Sequence, residues 1–378
     1  MPLRPDRHST ERLRDNGPGP GTRDQGTRDQ GTLTEGPETR DQGPRDRSML
    51  TETATGLYCA DGDFHIDPWA PVERALTTHA HGDHARTGSR AYLCAAPGVA
   101  VLRRRVGDEA VVEALPYGQT IRIGDVRVSF HPAGHVLGSA QIRIEGPDGV
   151  WVVSGDYKRA ADPTCTPFEP LRCDTFITES TFGLPIYRWD PTDTVISDIL
   201  SWWNANRDAG RASVLFCYTL GKAQRLLAEL GRVTNRPVLA HGMMLGMIEV
   251  YREAGVSMLP VLPATERPRG SSYAGELVLA PLSARGTPWM RRLGDHSDAF
   301  ASGLMRVRGV RRQRAYDRGF VISDHADWPA LLETIAETGA SRVLATHGHA
   351  EPLARFLRER AVEAGVMRTA WQGEISED

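Results

Sequence analysis

The chain has 378 residues, with 45 Lys+Arg against 48 Asp+Glu for a formal net charge of −3, and 40% hydrophobic residues, enough for more than one core. No run of 18 apolar residues exists, which excludes a helical membrane span, and the N-terminus lacks the apolar stretch of a signal peptide. Five scattered cysteines without a C-x2-C pair argue against a disulfide framework and a cysteine zinc site, so a reducing cytoplasm is the expected compartment.

Residues 1–48 open the chain with only four apolar side chains, Met1, Leu3, Leu13 and Leu33, and a short repeat, Gly21-Thr-Arg-Asp-Gln25 followed by Gly26-Thr-Arg-Asp-Gln30. Each unit balances its own charge and buries nothing, so this segment is expected to be a disordered tail, and Met49 offers an alternative start. Short β-rich runs follow at 74–78, 126–130, 141–145, 150–154 and 175–178. From about residue 191 the rhythm changes. An amphipathic helix over 192–209 carries Val195, Ile196, Ile199 and Trp203 on one face, with Trp202 on or beside it, so both indoles are expected to be core. Strand 213–218, helix 222–230, strand 237–240 and helix 243–254 complete an α/β unit, and strands and helices return at 319–323, 329–337, 342–346 and 352–364. An α/β domain inserted into a second domain explains that order. Charge follows the same partition: 49–184 is net −5, 185–320 net +7, and 321–378 net −5. A basic middle between acidic ends suggests an anionic partner for the middle and cation binding at the ends.

The chemistry concentrates at His79-Ala-His81-Gly-Asp83-His84, directly after an apolar run. Three imidazoles and a carboxylate within six residues would repel one another if protonated, whereas divalent cations hold the rings neutral and satisfy their nitrogens. The H-x-H pair and the D-H step offer ligands to two positions, which points to two metals. His135, in Pro132-Ala-Gly-His135, and Asp156, in Ser154-Gly-Asp156, lie after predicted strands and supply further ligands.

These residues resemble the metallo-β-lactamase fold family, with Asp67, the H-x-H-x-D-H cluster, His135 and Asp156 in the family's order. Thr178-Glu179-Ser180-Thr181, Ser323-Asp-His325-Ala-Asp327 and Thr346-His347-Gly348 look like the three extra motifs of its β-CASP nuclease branch. Over roughly residues 56–373 the chain is most similar to the bacterial ligase-associated DNA damage response exonucleases. The resemblance implies an α/β architecture, a metallo-β-lactamase αββα sandwich with an inserted α/β β-CASP cap domain. It places the first part of the sandwich domain at 49–188, the cap at 189–318 and the second part at 319–378. One metal would take His79, His81 and His135, the other Asp83, His84 and His347, with Asp156 bridging. His325 would be the general acid oriented by Glu179, and Asp67 would orient ligating histidines.

Five imidazoles and two carboxylates suit two divalent ions per chain, Zn2+ or Mn2+, which activate a water and clamp an in-line phosphoryl displacement. The expected activity is therefore that of a two-metal phosphodiesterase, foremost a DNA exonuclease in repair acting on single strands or ends. An RNA-processing nuclease with the same site is the alternative, because nothing local to the metals reads the sugar. A lactam or thioester hydrolase is disfavoured by the Glu179, His325 and His347 set and by the basic middle. By resemblance an ATP-dependent DNA ligase and a helicase are expected partners. Residues 285–320 hold nine arginines against three aspartates, and Arg311 and Arg314 are expected phosphate contacts. Lys158 and Lys222 are the only lysines in so Arg-biased a chain, and Lys222 at a helix start is expected to meet phosphate.

Overall fold

The computed structural model describes residues 48–268 and 270–368, with the side chain of Arg311 outside the described ones. The expectation of a disordered tail therefore falls outside the described residues. The first sheet follows chain order: β1 (Leu50–Thr53), β2 (Gly56–Cys59), β3 (Phe64–Ile66), β4 (Arg74–Thr77), β5 (Ala91–Ala95) and β6 (Val112–Leu115), with helix α1 (Val99–Val106) between the last two. Its first three strands pair antiparallel and the rest parallel. Next, β7 (Thr120–Ile123), β8 (Val126–Pro132), β9 (Ala140–Gly146) and β10 (Gly149–Val153) form an antiparallel meander, to which β11 (Thr175–Glu179) adds in parallel.

A third sheet is wholly parallel. It uses α2 (Thr192–Asp208), β12 (Ala212–Phe216), α3 (Lys222–Leu230), β13 (Val238–Ala240), α4 (Gly242–Glu253), β14 (Val261–Pro263), β15 (Leu277–Ala280), β16 (His296–Ala301), α5 (Arg308–Gln313) and β17 (Arg318–Phe320), with strand order β14-β13-β15-β12-β16-β17. The chain then returns through α6 (Trp328–Thr338), β18 (Arg342–Thr346), α7 (Ala350–Arg358) and β19 (Glu363–Val366), and β18 pairs with β11 to extend the second sheet. Strand β17, at the point where the sequence pattern marks the return, still pairs with β16 in the third sheet.

Side-chain period explains the layers. On β15, Leu277 and Leu279 pack with Val195, Ile199, Trp203, Leu226 and Ile248 of the helices, whereas Val278 and Ala280 join Val214, Phe216 and Phe300 on the other face. A parallel sheet covered on both faces reads as a continuous apolar run, as β12 and β15 do. Truncating Leu279, which is fully buried, to Ala would cost about 2–5 kcal/mol. Between the first and second sheets a single core joins Phe64, Ile66, Leu76 and Leu93 to Val128, Phe130, Ile142, Ile144 and Ile177. Trp202 and Trp203 are both buried in the core against the third sheet, as their helical spacing implies. Among the described residues no helix is long and apolar enough to cross a membrane.

The C-terminal ends of strands from all three sheets converge. Residue 67 follows β3, residues 78–84 follow β4, 135 follows β8, 156 follows β10, 179 ends β11, 347 follows β18, and 220 and 324 follow β12 and β17. Loops at carboxyl strand ends are where parallel sheets place their ligand sites.

Candidate metal centre

His79, His81, His135 and Asp156 offer ligand atoms within 4.8 Å of one another, as do Asp83, His84 and His347, and as do Asp156, Glu179 and His325. All are buried except the partly buried His347. Asp156 Oδ2 lies at the middle, 3.5 Å from His79 Nε2, 3.5 Å from His84 Nε2, 3.8 Å from His135 Nε2 and 3.9 Å from His325 Nδ1. Gly155 lets Asp156 reach this point: its φ is +56°, and a Cβ there would lie 2.6 Å from Thr78 Cβ. His347 itself has φ +57° and Asp67 φ +42°, a backbone cost that non-glycine residues carry chiefly at sites of function.

Hydrogen-bond partners set the ring tautomers. His135 Nδ1 donates to the Asp324 carbonyl oxygen (2.7 Å), His81 Nε2 to the Leu220 carbonyl (3.3 Å), and His84 Nδ1 to Asp67 Oδ2 (2.7 Å). A carbonyl or carboxylate can only accept, so wherever the ring is neutral its opposite nitrogen carries a lone pair. Those lone pairs meet: His81 Nδ1 lies 3.1 Å from His79 Nε2 and 3.0 Å from His135 Nε2. Asp83 Oδ1, His84 Nε2 and Asp156 Oδ1 are buried with no hydrogen-bond partner among the described residues. Converging lone pairs and orphaned acceptors are costly unless a cation lies among them, so the donor set fits divalent metal.

Without metal the electrostatics are lopsided. Burial, helped by neighbouring rings, pushes His79 and His135 well below the usual imidazole range, and burial takes His81 down to about 4. Burial also opposes charge on His84, but Asp156, Asp83 and Asp67 outweigh it and hold that ring well above its ordinary value. Burial raises Asp156, yet His84 and His325 leave its carboxyl well below the carboxylate norm.

The second constellation is a buried relay. Glu179 Oε1 accepts the Tyr157 N–H (2.7 Å) and Oε2 lies 3.0 Å from His325 Nδ1. Asp327 caps α6 through the Ala330 N–H (3.1 Å), and Trp189 Nε1 donates to the His325 carbonyl (2.9 Å), so the His325 loop is held on both sides. Asp67 behaves as an orienting group: besides His84, its carboxylate accepts the Thr78 N–H (2.8 Å) and hydroxyl (2.5 Å).

The expected phosphate contact Lys222 is a correction. Its side chain is 1% exposed and its Nζ lies 3.0 Å from Asp324 Oδ2, so α3 begins inside the protein. The two lysines of the chain meet at Asp324: Lys158 Nζ is 3.8 Å from its Oδ1 and also pairs with buried Asp162. Arg225 Nη1 reaches the same carboxylate (3.1 Å) and the Ser323 carbonyl (2.6 Å). Burial works against charge on Asp324, but Lys222, Lys158 and Arg225 hold its carboxyl well below the usual range. This cluster joins residues flanking the third sheet to the carbonyl that orients His135. Sequence reasoning missed Asp162, Asp324 and Arg225, although the rarity of lysine pointed to the place. Arg314 is half-buried, its guanidinium 5.5 Å from the Phe300 ring centroid. Several neighbours of the arginine-rich stretch are internally paired, Arg285 with Asp298 (3.0 Å) and Arg306 with Asp190 (3.3 Å). The expected contact through Arg311 lies outside the described side chains.

No family model matches the chain. It is 35% identical over 318 residues to a protein of Opitutus terrae named "Probable DNA ligase", covering 82% of this chain and 30% of that relative. It is 33% identical over 124 residues to "Endoribonuclease YSH1" of Gibberella zeae, covering 32% of this chain and 14% of the relative. It is 27% identical over 216 residues to a ribonuclease of Thermus thermophilus, covering 49% of each. The chain thus spans half or less of the length of these curated relatives. Among solved structures, a protein of unknown function from Enterococcus faecalis superposes with a TM-score of 0.51 over 80% of both chains at 14% identity, a likeness of fold alone. The fold and site define a mixed α/β protein with a buried His/Asp cluster able to hold metal, the class of the metallo-β-lactamase fold. The chain is related to the β-CASP branch of that family, which includes the ribonucleases just named.

Proposed function

We propose that the chain is a metal-dependent phosphodiesterase, foremost a DNA exonuclease acting in repair. The placement of Asp156 carries the reading: one carboxylate oxygen within 3.9 Å of four imidazole nitrogens, with the Glu179–His325 pair beside it. In this reading the first two sheets are the αββα sandwich, of residues 49–188 and the chain after β17 up to 378, and the third sheet is the β-CASP cap, expected at 189–318 and carried to 320 by β17. His79, His81 and His135 would hold one divalent ion and Asp83, His84 and His347 a second, with Asp156 between. Bound zinc or manganese would supply Lewis acidity at a phosphoryl oxygen and a strong nucleophile at neutral pH.

The protein's own groups do the rest. Glu179 accepts the Nδ1–H of His325 and fixes the ring, so the proton given to the leaving sugar oxygen is carried on Nε2. The backbone N–H of Tyr157 keeps Glu179 in place. Asp67 holds the His84 ring, and the Asp324 carbonyl holds the His135 ring, with their Nε2 atoms turned to the centre.

The similarity to a protein named as a DNA ligase favours DNA, and an ATP-dependent ligase and a helicase remain the proposed partners. The ribonuclease relatives support the alternative, an RNA-processing nuclease with the same site. The test is the manganese- or zinc-loaded protein on end-labelled single-stranded DNA and RNA of one sequence. Progressive shortening of DNA from an end supports the proposal. Cleavage of RNA alone replaces it with the alternative, and no cleavage of either removes the nuclease reading.

A further inference from the structure

Helix α1 ends in three consecutive arginines, Arg103, Arg104 and Arg105, all exposed, while its Val101 and Leu102 are buried. Cations in a last turn complement the helix dipole, which accounts for their presence but not for where their guanidinium groups lie. Arg105 lies against Gly82, the residue between His81 and Asp83 in the metal loop: a Cβ on Gly82 would overlap Nη2 and come within 2.9 Å of Cζ. Arg104 lies in the same way against Gly246 of α4, 2.9 Å from Cζ to the position of an added Cβ. None of the three makes a hydrogen bond or ion pair among the described residues, unlike Arg285 or Arg306. Unpaired positive charge thus lies at the end of α1, with Arg105 against the metal loop and Arg104 against α4, on the part of the chain, 49–184, whose net charge is −5.

We propose that Arg104 and Arg105 bind consecutive phosphates of a single nucleic-acid strand as it passes from α4 across the metal loop. The proposal rests on the nuclease reading and deepens it by naming the surface that holds the strand. A guanidinium offers paired N–H donors to phosphate oxygens, and its exposure spares it the cost of breaking an internal pair. Gly82 has an ordinary backbone conformation, so its missing side chain is explained by the room Arg105 takes.

The test measures binding of a short phosphorothioate-linked single-stranded oligodeoxynucleotide, which resists hydrolysis, to the metal-loaded full chain over a range of KCl concentrations. Each neutralised phosphate contributes roughly 0.7 to the slope of log K against log[salt]. Arg104→Gln and Arg105→Gln should each weaken binding and lower the slope by about that amount, and the double variant by about twice it. Arg105→Lys should keep most of the slope. Gly82→Ala, which pushes the Arg105 guanidinium aside, should weaken binding in the wild-type background and add little to Arg105→Gln. Arg90→Gln, which removes an exposed arginine paired with Glu73, serves as the control and should change neither quantity. Wild-type affinity and slope in both glutamine variants, with the wild type binding, would overturn the inference and leave the nuclease reading standing. No salt-dependent binding and no cleavage by the wild type would overturn the nuclease reading beneath it.

Discussion

The cluster around Asp324 permits a prediction in which two substitutions of neighbouring charges have unequal costs. Three buried cations, Lys158, Lys222 and Arg225, contact two buried carboxylates, Asp162 and Asp324, with separations of 3.0 Å (Lys222–Asp324), 3.1 Å (Arg225–Asp324), 3.6 Å (Arg225–Asp162) and 3.8 Å (Lys158–Asp324) besides the close Lys158–Asp162 pair. The side chains are 1–6% exposed, so water cannot screen what a substitution leaves behind. Asp324→Asn keeps the shape and the carbonyl that binds His135 but leaves three cations facing one carboxylate. Breaking a buried ion pair in this way costs about 3–5 kcal/mol. Lys222→Met removes the excess cation, leaves two cations with two carboxylates and fills similar volume, so its cost should be about 1 kcal/mol or less. Urea unfolding at pH 7, of chelated and metal-loaded protein, gives both numbers from the midpoints and slopes. A Lys222→Met variant destabilised as much as Asp324→Asn, or more, would refute the charge count.

The remaining predictions concern the centre itself. His325→Ala should retain full metal content and slow phosphodiester cleavage by roughly 10²–10⁴-fold, recovered in large part on a substrate with a far better leaving group. Loss of metal in that variant would reassign His325 to coordination. Elemental analysis after manganese or zinc loading should approach two ions per chain. His347→Ala should lower that number towards one, whereas Asp156→Ala should empty both positions; a wild-type value of one, indifferent to His347→Ala, would contradict the bimetallic reading. Stability of the chelated protein should fall as pH drops from about 6.5 to about 4. Burial depresses His79, His81 and His135 in the folded state, so the unfolded chain binds more protons in that window, while His84, raised in the folded state, opposes this only near the top of the window, where the unfolded ring takes up its proton, and adds no slope below. A urea midpoint that holds or rises on acidification through that range would show the rings are not held neutral.

The amino-acid order alone made the metal loop legible, because three histidines and an aspartate at 79–84 have no cheaper explanation than cations among them. It also marked 213–218, where β12 lies, as a strand and α2 as a one-faced helix, since burial imposes its period on the side chains themselves, whereas β15, short and set in a Pro-, Gly- and Arg-rich stretch, is seen only in the structure. Resemblance supplied Asp67, Glu179, His325 and His347, single residues whose local sequence gives no hint of coordination or proton transfer. What the chain order could not disclose was which distant strand ends share one point. Asp156 becomes the hub only when β10 lies between β9 and β11, and Asp324 becomes visible only when α3 and β17 bring Lys222, Arg225 and Lys158 to one carboxylate. The same limit turned Lys222 from an expected surface phosphate contact into a buried ion, because a helix start is exposed or enclosed according to what packs against it. The density of arginines along 285–320 is legible in the sequence, yet ion pairing is decided across space. Arg285 and Arg306 find carboxylates there, while Arg104 and Arg105, unremarkable in sequence, are unpaired among the described residues, one against α4 and the other against the metal loop. Local composition sets what a residue can do; the long-range contacts of the folded chain set which of those capacities is left free to act.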